Sequence, residues 1–104
     1  MGDDVALTVV TMAFQASDPD RLVGVLAKYV VVSRGATGCR NIDLCASATR
    51  DGRYLVIEKW DSPETQRAHF DSAEMVEMAE SCRALLSAPP DIDLFDGISA
   101  HDLH

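Results

Sequence analysis

At 104 residues the chain suits one domain and leaves no room for two independent hydrophobic cores. Its 47% hydrophobic and 25% charged residues strike a globular balance, and no apolar run is long enough to span a bilayer. Seventeen acids against nine Lys and Arg leave a formal charge of −8 without a basic cluster, which argues against nucleic acid or any other polyanionic partner.

Asp3 and Asp4 stand where a secretory leader carries basic residues, so no export signal is expected and a cytoplasmic location is. Cys39, Cys45 and Cys82 form no CxxC pair, which suits a reducing compartment and offers no metal-binding set. From Asp4 to Phe14 a β-branched, Gly- and Pro-free run predicts a first strand buried on both faces. The period then changes. Leu22, Val25, Leu26, Tyr29 and Val30 share one helical face, with Asp18 as N-cap, Pro19 at the first helical position and an end near Gly35.

Between Cys39 and Ala48, Ile42, Leu44 and Ala46 alternate with Asn41, Asp43 and Ser47, the pattern of a half-buried strand. Asp51-Gly52 predicts a hairpin with a type I′ turn, and hence a third strand, Arg53 to Trp60, antiparallel to the second. Ser62-Pro63 opens a short helix to about Phe70, and Asp71 or Ser72 caps a second helical piece beyond a kink. Met75, Met78, Ala79, Cys82 and Leu86 hold one helical face until Pro89-Pro90 forbids continuation. Ile92, Leu94 and Ile98 then mark a fourth strand within 91–99, and residues 100–104 read as a tail. The β-α-β-β-α-β order predicts a ferredoxin-like α+β fold, one domain over 1–104 with its core at about 4–99. Its four-stranded antiparallel sheet carries both helices on one face. Apolar residues on both faces of the first and third strands predict a second copy over the other face, a homodimer.

Glu58-Lys59-Trp60-Asp61-Ser62-Pro63-Glu64 followed by Ala68-His69-Phe70 resembles the signature of the antibiotic biosynthesis monooxygenase family, and Gly38 and Asp51-Gly52 stand where that family has its glycine and its hairpin. The resemblance implies a dimeric α+β barrel. It further implies oxygenation of a quinol or other electron-rich aromatic by O₂ with no cofactor, neither metal, flavin nor haem; the acidic charge and the lack of an apolar span already speak against nucleic acid and a membrane as partners. Such a reaction needs a base and an apolar cavity. His69 would be the base, since an imidazole with a pKa of about 6.5 is available near neutral pH. Trp60, Tyr29, Phe70, Met75 and Met78 would wall the substrate pocket, although Trp60 at a strand end reads first as a staple closing helix against sheet.

Glu58 shares a strand face with Trp60, and would orient His69 or pair with Arg53, Lys59 or a base from the second subunit. A non-catalytic small-molecule-binding dimer and an isomerase are the alternatives on the same fold. Haem-degrading relatives use an axial His and a Trp on the second helix and an Asn on the first strand. Here the strand has no Asn, the helix no Trp, and Met78 stands near the axial position, which disfavours haem degradation. No GxSxG, P-loop, GxGxxG or HExxH pattern occurs, and His101 and His104 lie in the tail.

Overall fold

Strict alternation governs the first strand, β1 (Thr8–Gln15), in the computed structural model, which describes residues 6–99. Thr8, Val10, Met12 and Phe14 are buried, while Val9, Thr11, Ala13 and Gln15 are half-buried. Within one chain, helices cover only one side of the sheet, and period two turns every second residue away from them. Asp4 and Val5, the start of the expected strand, lie outside the described residues, as does the tail from residue 100.

Helix α1 (Pro19–Ser33) begins as expected, with the Asp18 side chain accepting from the Arg21 amide at 3.4 Å, and buries Leu22, Leu26, Tyr29 and Val30. Strands β2 (Cys39–Ala46) and β3 (Arg53–Trp60) pair antiparallel, but the connection is not a two-residue turn. It spans 47–52 and is closed by Ser47 N–H donating to the Arg53 carbonyl at 2.8 Å. The Ser47 hydroxyl accepts from the amides of Thr49 and Arg50, and Gly52 alone in the loop has positive φ, 76°. A serine that captures loop amides builds its own turn, which removes the need for positive φ at Asp51.

Helix α2 (Pro63–Phe70) is capped by Ser62 and α3 (Ala73–Cys82) by Ser72, whose hydroxyls accept from the Thr65 and Met75 amides at 3.2 and 3.3 Å. The face expected to run helically to Leu86 instead tightens into a 3₁₀ turn, Arg83–Leu85. Leu85 becomes the buried residue, and Leu86 is extended and bridges to Ala16. Strand β4 (Asp91–Asp96) stops before Ile98, which is 100% exposed.

The sheet order is β2-β3-β1-β4, antiparallel throughout, the ferredoxin-like arrangement expected from the sequence. Register aligns Ile42, Glu58 and Val10 across the three covered strands on the inner face, with Val56, Met12 and Phe14 nearby and Leu22, Leu26, Met75, Met78 and Cys82 packed against them. The outer face carries Val9, Thr11, Ala13, Leu55 and Ile57, all half-buried, beside the exposed Phe95. No helix among the described residues is long and apolar enough to cross a membrane.

Candidate functional site

Glu58 is the anomaly of the inner face: a carboxylate between Val10 and Ile42, only 3% exposed. A buried charge persists only where donors replace its lost water. Two do so. Trp60, on the same face two residues on, donates its indole Nε1–H to Glu58 Oε1 at 3.0 Å, and Tyr29 of α1 donates its hydroxyl to Oε2 at 2.5 Å. The Tyr29 oxygen lies 3.0 Å from His69 Nε2. The His69 ring rests on Trp60, with centroids 4.7 Å apart and planes tilted by 30°. Tyr29, Trp60 and His69 are 4%, 0% and 5% exposed, so four side chains from three elements form one buried polar cluster inside an apolar core.

Local sequence explains each contribution. Period two puts Glu58 and Trp60 on one face, and helical period puts Tyr29 in the buried stripe with Leu26 and Val30. On α2, Gln66 and His69, three residues apart, form the buried side. Gly38 anchors the start of that helix. Its carbonyl accepts from the Asp61 amide at 2.9 Å, and Asp61 Oδ1 accepts from the Thr65 hydroxyl at 2.7 Å. Gly38 has φ of +80°, and a Cβ there would stand 2.5 Å from Thr65 Cβ, so glycine is required on two counts.

The charged partners considered for Glu58 are corrected by the same register. Arg53 and Lys59 occupy odd positions, opposite Gln15 and Val9, and so lie on the outer face of the sheet. The sequence contains that signal in the parity of 53, 58 and 59. Sequence reasoning missed Tyr29 as the hub, because a tyrosine on an apolar helical stripe reads as packing until its hydroxyl needs a partner.

Burial, then the charge of Glu58 and the hydrogen bond to it, push the Tyr29 hydroxyl well above its ordinary value. The nearby Ser33 hydroxyl acts in the opposite direction. Burial, followed by Glu58, also raises the Cys39 thiol, and burial alone lifts Cys82 from its ordinary 9.0 to about 11. These shifts have a consequence for stability. Above pH 9 an unfolded chain releases thiol and phenol protons that the folded chain still holds, so stability falls as pH rises. Denaturant unfolding at fixed ionic strength should show a level midpoint up to about pH 9 and a decline from there toward pH 11. A midpoint that rises across this window would contradict the assigned burial of these groups.

Two apolar clefts adjoin the cluster's elements. The larger, about 520 Å³, lies between α3 and the β1–β4 side of the sheet and is lined by Met12, Phe14, Met75, Met78, Cys82 and Ile92. The smaller, about 210 Å³, lies between α1 and α3, with Tyr29, Lys28, Glu74 and Met78 among its walls. Met78 borders both clefts, whereas His69, Trp60 and Glu58 border neither. Phe70, 41% exposed, also borders neither. Among the described residues no three His, Cys, Asp or Glu side chains gather as a metal set.

Residues 7–81 match the family described as Antibiotic biosynthesis monooxygenase. No curated protein sequence is a significant match. Among solved structures, Rv0793 from Mycobacterium tuberculosis is similar, with a TM-score of 0.81 and 23% identity over 90% of this chain and 97% of that one. A Caulobacter crescentus protein described as a candidate antibiotic biosynthesis monooxygenase gives 0.82 and 17% over 91% and 92%. PA3566 from Pseudomonas aeruginosa gives 0.78 and 21% over 95% and 100%. At these identities the likeness is one of fold.

Proposed function

The chain belongs to the antibiotic biosynthesis monooxygenase family, and from that premise we propose that it oxidises a quinol or similarly electron-rich phenol with O₂, using no metal, flavin or haem. Family and fold support the broader role, that of a monooxygenase or a small-molecule-binding protein. The observation that carries the finer one is the buried Trp60–Glu58–Tyr29–His69 cluster beside apolar clefts. A ring CH₂, the keto form of a phenol, together with O₂ yields C=O and H₂O, so the substrate supplies all the electrons. The protein supplies a base that generates the electron-rich anion and a dry cavity that holds it.

In this reading His69 is the base and Glu58, acting through the Tyr29 hydroxyl, orients it. Met75 and Met78 contact the aromatic ring in the larger cleft, Tyr29 walls the smaller one, and Trp60 supports the imidazole from below. Unbranched thioethers swing aside as the ring arrives and give it access to the cluster. Phe70 has no part in it. A second copy of the chain covers the outer sheet face at Val9, Ala13, Leu55, Ile57 and Phe95, which makes the working form a homodimer.

Oxygen uptake by metal-free protein with a panel of quinols and anthrone-like phenols tests this, with His69→Ala run in parallel. Turnover should fall about a hundredfold on substitution, the lower end of general-base effects. One observation favours a second reading, a non-catalytic binding dimer: His69 borders neither cleft. Tight binding of an aromatic without oxygen uptake would decide for it.

A further inference from the structure

The hydrogen bonds of the cluster constrain where the protons sit. Trp60 Nε1–H is only a donor, so it occupies Glu58 Oε1 as an acceptor. The remaining oxygen, Oε2, stands 2.5 Å from the Tyr29 hydroxyl, within the range of a phenolic O–H donating to a carboxylate. Burial and the adjacent Glu58 charge both favour the protonated phenol, which leaves Tyr29 as the donor. Its single proton is thereby spent on Glu58. The 3.0 Å contact between the same oxygen and His69 Nε2 then requires Nε2 to donate.

We infer that His69 keeps a proton on Nε2 in both its neutral and its charged form, that Nδ1 is the nitrogen that gains and loses protons, and that Tyr29 and Glu58 are positioning residues enforcing this tautomer. For catalysis the inference rests on the oxygenase reading: a substrate proton must reach the Nδ1 edge of the ring. The tautomer itself does not depend on that reading. Stacking on Trp60 opposes the ring flip that would put the carbon Cε1 in the place of Nε2 and break the contact with Tyr29. The ionisable groups coupled to the imidazole are Tyr29 and Glu58 through the hydrogen bonds and Glu74 at the start of α3, whose carboxyl the His69 charge helps to lower, after the α3 backbone amide and Ser72.

The test uses the full chain carrying His101→Gln and His104→Gln, so that His69 is the sole histidine, with ¹⁵N-labelled imidazole read by long-range ¹H–¹⁵N correlation. The neutral ring should show a protonated Nε2 and a pyridine-like Nδ1. In Glu58→Gln the amide oxygen still accepts from Trp60, so the amide NH₂ faces Tyr29 and donates to its oxygen. The freed Tyr29 O–H then donates to Nε2, and the His69 proton moves to Nδ1, inverting the spectrum. In Tyr29→Phe the acceptor is gone and the two tautomers should mix, which keeps the test available if the Glu58 variant does not fold. A wild-type ring protonated on Nδ1, or a tautomer unchanged in Tyr29→Phe, overturns the inference. Absence of oxygen uptake alongside an Nε2–H ring removes the oxygenase proposal and leaves the inference standing.

Discussion

Trp60→Ala is expected to lower the unfolding free energy by about 3–5 kcal/mol, the usual range for truncating a fully buried indole. The position is 0% exposed, and its ring is at once part of the core, the support under His69 and a donor to Glu58. The first two roles are steric and the third is electrostatic. Trp60→Phe separates them, because a phenyl ring fills much of the space but cannot donate. That variant leaves Glu58 Oε1 buried without its partner, at a cost of roughly 1–3 kcal/mol. Guanidinium unfolding of both variants, read by far-UV circular dichroism, measures the two losses. If Trp60→Phe were as stable as wild type, the indole–carboxylate bond would contribute nothing and the cluster would be packing alone.

Gly38→Ala should be more costly than the same change at Gly24, Gly35 or Gly52. It combines a backbone term of roughly 1–3 kcal/mol, for forcing a side chain to positive φ, with an overpacking term of roughly 1–3 kcal/mol. The overpacking arises against Thr65 Cβ and Oγ1, each 2.5 Å from the added carbon, and Asp61 Oδ1 at 2.6 Å. Thr65→Gly in the same chain relieves most of the clash but not the φ strain. The double variant should therefore recover part of the loss relative to the sum of the singles, a coupling that a double-mutant cycle reads directly. Strict additivity would mean that the strand and helix start have moved apart and that Gly38 does not position α2. Because α2 carries His69, any oxygen uptake should fall in Gly38→Ala further than the unfolded fraction explains.

Much of this architecture was legible because its determinants are local. Asp18-Pro19, Ser62-Pro63 and Ser72 mark helix starts by contacts that reach only three residues along the chain. Alternation in the strands and the 3.6-residue stripe of α1 depend on nothing more distant. Where expectation failed, a local rule met a local competitor: the Ser47 hydroxyl displaced the tight turn at Asp51-Gly52, and a 3₁₀ turn diverted the last helical face from Leu86 to Leu85.

By itself, then, the sequence determined the order and type of the elements, the face that Glu58 shares with Trp60, and the family. Tertiary structure alone decided which groups meet in the core. Tyr29 joins Glu58 across 29 residues and His69 across 40, and no periodic signal specifies either pairing. Periodicity states only that a side chain is turned inward. Which donor then satisfies a buried carboxylate is set by how α1 and α2 dock on the sheet, a choice made by long-range packing and by the cost of leaving that charge without partners.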